Sequence, residues 1–175
     1  MNAPENPESD FVVVDHGNGD VELLGYEGTD EIVVIPEIWN GKKITTISSY
    51  VFGVSSIAKA VKIPDSVTLV NEFAFAANTN LEIVVFGSGV KEIGKASFQA
   101  CENLREVVLN EGLEKISMIS FVSCDSLKKL TIPESVKEIE PGVFPLEDGD
   151  FVLVGKTGSY AETYAKENGI TFEAN

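Results

Sequence analysis

Apolar residues recur along this chain at a fixed spacing of 23 residues, so the sequence can be written as rows with aligned columns. One column holds a phenylalanine in every row: Phe52, Phe75, Phe98, Phe121 and Phe144. Two further columns are aliphatic: Ile44, Val67, Val90, Leu113 and Val136 in one, and Ile47, Val70, Ile93, Ile116 and Ile139 in the other. A period of about 20 to 29 residues with apolar columns predicts stacked turns that bury one continuous core.

Each row also contains a segment in which the apolar spacing is that of a strand. The spacing L-x-x-V-x-I ends with period two, which is the side-chain period of extended chain. It is found at Leu81, Val84 and Phe86, at Leu104, Val107 and Leu109, and at Leu127, Leu130 and Ile132. The predicted fold class is an α/β repeat solenoid, a leucine-rich-repeat right-handed superhelix of about five 23-residue rungs that is rich in short parallel strands.

Segments outside the period predict a cap at each end of the solenoid. Phe11 to Asp15 and Val21 to Tyr26 alternate with turn residues at Asn18-Gly19, which indicates an N-terminal β-hairpin. Phe151 to Val154 and Ile170 to Phe172 predict strands on either side of a helix at the C-terminal end. That helix begins after Ser159, which forms a capping box with Glu162.

These boundaries define the predicted domain organisation. Residues 1–10 are rich in proline, asparagine and acidic residues, lack the features of a signal peptide, and are expected to form a disordered leader. Residues 11–175 form a single leucine-rich-repeat domain, with a hairpin cap at 11–30, repeats at 31–145 and a second cap at 146–175. The first rung carries a five-residue insertion, Trp39 to Lys43, which predicts a protruding hairpin or loop. For Trp39, packing over the first rung is favoured over a role in binding.

Composition excludes several classes of partner. The chain has 175 residues and a formal charge of −15, which disfavours nucleic acid and anionic membrane surfaces. The sequence has no apolar run long enough to span a membrane. Its two cysteines, Cys101 and Cys124, lie one repeat apart; two buried free thiols are favoured over a disulfide, and the redox compartment stays open.

Charged residues between the second and third columns alternate in sign from rung to rung. Stacking aligns Lys91 with Glu114 and Lys137, and it aligns Glu92 with Lys115 and Glu138. We interpret these charges as structural pairs that fix the register between rungs.

A search for catalytic chemistry finds no candidate constellation. The sole histidine, His16, lies in the hairpin turn, and the chain has no metal-ligand cluster and no phosphate-binding glycine-rich loop. Asp15, Asn18 and Asp20 could be read as a calcium loop, but their spacing favours a turn. We therefore predict a protein that is not an enzyme and that needs no cofactor or metal.

The strands provide a candidate binding surface. Residues expected to point outward form an apolar centre with a basic border, and we name this set the strip: Lys62, Ile83, Val85, Arg105, Val108 and Lys129. Lys59 and Lys128 flank it. An apolar centre with a charged border is typical of interfaces, although β-branched residues also suit strands for purely structural reasons.

Three motifs resemble the BspA-like leucine-rich repeat: Val61 to Val67 (VKIPDSV), Val90 to Gly94 (VKEIG) and Ala96 to Cys101 (ASFQAC). The ending GSYAETYAKENGITF is also similar to the closing segment of such proteins, so the resemblance covers about Phe11 to Phe172. The chain departs from the pattern at Phe86-Gly87 and Leu109-Asn110, where Ile-Pro is usual, and in lacking cysteine in its first two rungs.

This resemblance implies an extracellular or surface-displayed protein of a host-associated bacterium. It further implies a protein ligand, in some members an extracellular-matrix or plasma protein, and no catalytic residues. The function expected is a non-catalytic protein–protein interaction module that acts as a monomer. The alternative is a structural spacer within a larger surface protein that has no ligand of its own.

Overall fold

The computed structural model describes residues 3–17, 19–53, 56–146 and 150–175. A 3-10 helix, Glu8–Asp10, precedes the first strand, and one α-helix, α1 (Tyr160–Glu167), lies near the C-terminus. The strands are β1 (Phe11–Asp15), β2 (Asp20–Tyr26), β3 (Ile32–Val34), β4 (Ile38–Trp39), β5 (Lys42–Ile47), β6 (Ala60–Lys62), β7 (Leu69–Val70), β8 (Ile83–Val85), β9 (Glu92–Ile93), β10 (Glu106–Val108), β11 (Lys115–Ile116), β12 (Lys129–Thr131), β13 (Glu138–Ile139), β14 (Val152–Gly155) and β15 (Thr171–Ala174).

The strands stack as parallel ladders, which confirms the predicted α/β repeat solenoid. Among the described residues, an eight-stranded sheet has the order β1-β2-β5-β7-β9-β11-β13, with β4 paired to β5. A four-stranded sheet, β10-β8-β6-β3, and a three-stranded sheet, β12-β14-β15, contain the remaining strands. Register follows the sequence period, because Val70 pairs with Ile93, and Ile93 with Ile116. The caps extend both ends of the stack, since β2 continues onto β5 and β14 continues from β12.

The phenylalanine column forms a stack of nearly parallel rings through the core. Neighbouring ring centroids from Phe52 to Phe144 are 5.0, 4.8, 5.3 and 6.4 Å apart. Tyr26 continues the stack at 5.7 Å from Phe52, and Phe151 continues it at 5.0 Å from Phe144. Each cap therefore covers one end of the core with an aromatic ring. The sequence period does not reveal these two contacts.

A backbone feature that the sequence analysis missed also repeats with the period. Residues at one turn of each rung have positive φ: Tyr50 (62°), Phe73 (57°), Ala96 (53°), Ile119 (54°) and Gly142 (67°). This left-handed conformation costs a non-glycine residue about 1–2 kcal/mol. Hydrogen bonds between rungs hold it, because the Tyr50 amide donates to the Phe73 carbonyl and the Phe73 amide donates to the Lys95 carbonyl.

The leader differs from the expectation of disorder. Asn6 is buried. Its backbone amide donates to the Val34 carbonyl at 2.9 Å, and its side-chain Oδ1 accepts from the Val34 backbone amide at 2.8 Å. Its Nδ2 donates to Asp30 Oδ2 at 2.8 Å. The two bonds with Val34 pair backbone groups at the edge of β3 that would otherwise be unpaired. The prediction of disorder was based on the composition of the leader, and composition contains no information about contacts with the edge of β3.

The insertion in the first rung forms the predicted hairpin. β4 and β5 pair antiparallel around Asn40 and Gly41, whose φ angles of 46° and 77° suit a two-residue hairpin turn. Trp39 is half-buried against the core, and its indole Nε1 donates to the Glu8 carbonyl at 3.3 Å. The prediction that Trp39 packs over the first rung is confirmed.

The two predicted caps are present. β1 and β2 pair antiparallel in the N-terminal hairpin, although Asn18 of the predicted turn lies outside the described residues. In the C-terminal cap, Ser159 Oγ accepts from the Glu162 amide at 3.4 Å, as predicted for the start of α1. The Glu162 carboxylate accepts from the Gly158 amide at 2.6 Å, so it caps the helix one residue earlier than the predicted box requires.

Both cysteines are buried free thiols, as predicted. Each Sγ donates to a carbonyl of the preceding rung at 3.1 Å, Cys101 to Phe75 and Cys124 to Phe98. Burial raises the pKa of Cys101 to about 12 and that of Cys124 well above its ordinary value. Because the thiolate is the reactive form, we expect both side chains to be unreactive in the folded protein.

We expect neither cysteine to react with a thiol-specific reagent near pH 8 while the protein is folded, and both to react after unfolding in denaturant. Mass spectrometry of the alkylated protein with and without denaturant measures this. Rapid labelling of the native protein would contradict the buried position of the two thiols.

The predicted charge ladder is present in part. Lys137 Nζ lies 3.0 Å from Glu114 Oε2, and Lys115 Nζ lies 3.3 Å from Glu138 Oε1 and 2.6 Å from Glu140 Oε1. Lys91 differs, because its Nζ donates to the Gly112 carbonyl at 3.2 Å. These surface pairs, which range from partly buried to exposed, contribute little stability each and act mainly on register.

Carboxylates in these contacts give stability a defined dependence on pH. Hydrogen bonds from His16 and Ser48 lower the pKa of Glu22, and the contact with Lys115 lowers that of Glu140. A carboxylate with a lowered folded pKa contributes stability above its unfolded pKa of about 4.5, and this stability is lost as pH falls through the folded pKa. We expect the free energy of unfolding to decrease from about pH 5 to about pH 3, and Glu22→Gln to reduce that slope. Denaturant titrations across this range measure it; an unchanged slope in the variant would contradict the assignment.

Candidate functional site

The sheet containing β6, β8 and β10 brings most of the strip together. Parallel register pairs Lys62 with Val85 and Val85 with Val108, so these three residues form one row across three rungs. Ile83 lies in the adjacent outward row, paired with Ala60 on one side and Glu106 on the other. The row exists because one repeat of 23 residues equals one step between neighbouring strands.

The apolar centre of the strip is only partly accessible. Val108 is 43% exposed, whereas Ile83 and Val85 are half-buried. Ile32 on β3 pairs with Ala60 and is 52% exposed, which extends the apolar surface towards the first rung. The sequence analysis missed Ile32, although its position in the strand segment EIVVIP places it one rung before Ala60.

Acidic partners offset much of the positive charge at the border of the strip. Each of four cations has an acidic partner: Lys59 with Glu31 at 2.8 Å, Arg105 with Glu82 at 3.2 Å, Lys128 with Asp150 at 3.2 Å, and Lys129 with Glu173 at 2.5 Å. The acidic partners lie on neighbouring rungs or on the C-terminal cap. Lys62 forms no ion pair with any residue that the structure describes. The strip is therefore an apolar row with a border of mixed charge.

Lys129 belongs to a different sheet from the other strand residues of the strip. It is on β12, which hydrogen-bonds to β14 in the three-stranded sheet, and Lys129 itself pairs with Val152. Arg105 immediately precedes β10 and is exposed. The six residues thus span two sheets.

Metal-ligating groups in the hairpin turn are engaged with protein partners. His16 Nε2 lies 2.9 Å from Glu22 Oε2, Asp15 Oδ1 accepts from the Gly17 amide at 2.9 Å, and Asp15 also contacts Lys42. Asn18 of the alternative calcium loop lies outside the described residues. Within residues 3–17, 19–53, 56–146 and 150–175, no group of three or more His, Cys, Asp or Glu side chains is placed to hold a metal ion.

No helix in the described ranges has the length and apolar content needed to cross a membrane. The helix α1 has eight residues.

Comparison with solved structures identifies bacterial leucine-rich repeat proteins with the same fold. A leucine-rich repeat protein of T. pallidum superposes with a TM-score of 0.80 at 26% identity, covering 86% of this chain and 71% of that chain. A leucine-rich cell surface protein of Faecalibacterium prausnitzii gives a TM-score of 0.69 at 22% identity, over 91% of this chain and 47% of that chain. A leucine-rich repeat protein of Bacteroides ovatus gives 0.69 at 23% identity, over 99% and 53%. The chain spans about half the length of the latter two proteins, and at these identities they show the fold alone.

Sequence comparison gives the family. No curated protein sequence matches the chain at a significant level. A family model described as BspA type leucine-rich repeat region, in six copies, matches residues 33–147, which is more than half of the chain. The chain therefore belongs to the BspA type leucine-rich repeat family.

Proposed function

We propose that this domain is a non-catalytic protein–protein interaction module and that the strip is its contact surface. The observation that carries the proposal is the row formed by Lys62, Val85 and Val108 across three paired strands. A partly exposed apolar row with a polar border has the arrangement of a small interface core.

The ion pairs at the border are compatible with binding. Arg105 with Glu82 and Lys129 with Glu173 are exposed, and exposed pairs contribute about 0–1 kcal/mol. They can therefore exchange partners with little loss of stability. The apolar row would provide most of the binding energy, and the charges would select the partner and its orientation.

We propose a protein ligand and an extracellular or cell-surface location. Family membership supports both, and a cell surface protein shares the fold. The net charge of −15 disfavours a polyanionic partner. A host extracellular-matrix or plasma protein is the ligand class that we propose for the first test, with the domain acting as a monomer.

A structural spacer is the second candidate function. The observation that favours it is the internal pairing of Lys59, Arg105, Lys128 and Lys129, which leaves little charge at the border uncompensated. The immobilised domain should be tested against a panel of purified extracellular-matrix and plasma proteins. Specific binding at micromolar concentration favours the interaction module, and failure of every protein to bind favours the spacer.

We expect Val85→Asp combined with Val108→Asp to weaken binding to a protein identified in that panel by at least about tenfold, because two carboxylates would be buried in the contact. Val12→Asp combined with Leu24→Asp is the matched control, since Val12 and Leu24 are 39% and 43% exposed but lie in the N-terminal hairpin, outside the strip. Thermal unfolding followed by circular dichroism verifies that each variant folds. Unchanged affinity in the folded double variant would show that the strip is not the contact surface.

A further inference from the structure

A groove of about 760 Å³ lies on the eight-stranded sheet, away from the sheet that carries most of the strip. Leu69, Glu92 and Lys115 contribute to one side of it, and register pairs these residues across β7, β9 and β11. The volume is in the range of small-ligand sites, about 300–1,000 Å³. The groove therefore crosses several rungs and is large enough for a ligand of a few rings.

The lining of the groove includes a buried glycine at which two rungs are in close backbone contact. Gly94 is buried in its lining, and a Cβ atom there would lie 2.6 Å from the Val70 carbonyl oxygen and 2.7 Å from the Glu72 amide nitrogen. Asn71 and Ser117 line the groove at the equivalent positions one rung before and one rung after Gly94. This column of the groove therefore carries only short side chains or none.

Two charged side chains in the groove are exposed and available to a ligand. Glu72 and Lys95 are exposed, and their side chains make no hydrogen bond or ion pair with any described residue. Most other lysines are paired, such as Lys115 with Glu140 at 2.6 Å. Glu92 accepts from Ser117 Oγ at 3.1 Å and keeps its second carboxylate oxygen available. Donors and acceptors are therefore interspersed along the groove.

Apolar surface accompanies these polar groups. Leu69 and Met118 line the groove, and Met118 is 38% exposed. Tyr50 is 64% exposed and stacks on Phe73 with centroids 5.5 Å apart and ring planes 4° apart. Both rings belong to residues of positive φ, and their chain neighbours Ser49 and Glu72 line the groove. An exposed aromatic face thus lies beside the groove on residues whose backbone conformation favours glycine.

We propose that this groove binds a neutral oligosaccharide. Each hydroxyl of a sugar both donates and accepts, which matches interspersed carboxylate, amide, ammonium and hydroxyl groups. The C–H faces of a sugar ring are apolar and would pack on Leu69, Met118 and the exposed ring of Tyr50. Three carboxylates against two lysines disfavour a phosphorylated ligand. The lining offers no enclosed apolar pocket of the kind that anchors a protein hot spot.

The test uses the whole chain and an array of neutral oligosaccharides, followed by calorimetry with the best binder. Glu72→Ala combined with Lys95→Ala should raise its Kd by about tenfold or more, because charge-assisted hydrogen bonds are lost. Glu102→Ala combined with Lys166→Ala is the matched control; it removes the same two charges from exposed positions outside the groove and should leave Kd unchanged. Tyr50→Asn removes the ring at a positive-φ position that asparagine tolerates, and it should also weaken binding.

Two results would overturn the proposal. One is the absence of any neutral oligosaccharide that binds at millimolar concentration. The other is a binder whose Kd is the same for the wild type, the Glu72/Lys95 variant and the Tyr50 variant, all verified as folded by circular dichroism. A peptide that binds and is lost in the Glu72/Lys95 variant, with no sugar binding, would assign the groove to protein recognition and equally reject the saccharide.

Discussion

Replacement of Phe98 by alanine is expected to lower the free energy of unfolding by about 4 kcal/mol. Phe98 is fully buried, and its ring stacks between Phe75 at 4.8 Å and Phe121 at 5.3 Å. Removing the ring leaves a cavity in the middle of the aromatic stack, and both neighbouring rungs lose packing. In a solenoid each rung contacts only its neighbours, so no distant part of the structure can compensate.

Denaturant unfolding followed by circular dichroism measures this loss, and the fluorescence of Trp39 reports separately on the first rung. Leu146→Ala is the control, because Leu146 is 42% exposed and its truncation should change stability by less than about 0.5 kcal/mol. A loss below about 1 kcal/mol for Phe98→Ala would mean that the ring stack is not the main source of cohesion between rungs.

Replacement of Gly89 by alanine is expected to cost about 3 kcal/mol, an unusually large effect for one added methyl group. A Cβ atom at this position would lie 2.1 Å from the Asp65 carbonyl oxygen and 2.8 Å from the Val67 carbonyl oxygen. Both oxygens belong to the backbone of the preceding rung, so relief requires the two rungs to separate. The next rung also has a glycine here, Gly112, but Ser66 one rung before and Ser135 two rungs after show that the column itself does not demand glycine.

Gly25→Ala provides the matched control. Its added Cβ would meet no atom closer than 3.6 Å, and its φ is not positive, so we expect little change in stability. Thermal and denaturant unfolding of both variants give the comparison. Equal stability of Gly89→Ala and the wild type would show that the rungs are not in the close backbone contact described here.

The buried columns were predictable because burial repeats with the period of the chain. The columns that contain Phe98 and Ile93 are part of the core in every rung that the sequence aligns. The strand spacing that ends at Phe86 predicted the parallel sheet. The sequence period could not predict structural features that occur only once in the chain. Asn6 covers the edge of β3 through two hydrogen bonds with Val34, and neither its type nor its sequence context signals this role.

Site prediction was weaker because charges respond to neighbours that are distant in sequence. Outward positions such as Val85 and Val108 follow from strand alternation, and the structure brings them into one row. The ion pairs at the border of the strip cannot be predicted from strand alternation. Lys129 pairs with Glu173, 44 residues away on the C-terminal cap, and the spacing of the repeat contains no information about that contact.

The groove on the eight-stranded sheet was missed for a related reason. Glu92 and Lys115 were interpreted as register pairs, an interpretation that considers each column alone. The groove and the exposed side chains of Glu72 and Lys95 in its lining become visible only when three rungs are considered together. The available signal was a column of short residues, Asn71, Gly94 and Ser117, in three successive rungs.

Photo-crosslinking tests most directly the claim that the row of Lys62, Val85 and Val108 contacts a protein partner. Benzoylphenylalanine replaces Val108 in one variant and Lys166 on α1 in another, and each is irradiated with a matrix or plasma protein that binds the wild type. We predict a covalent adduct from position 108 and none from position 166. Adducts of equal yield from both positions, or an adduct from position 166 alone, would contradict the assignment of the strip as the binding surface.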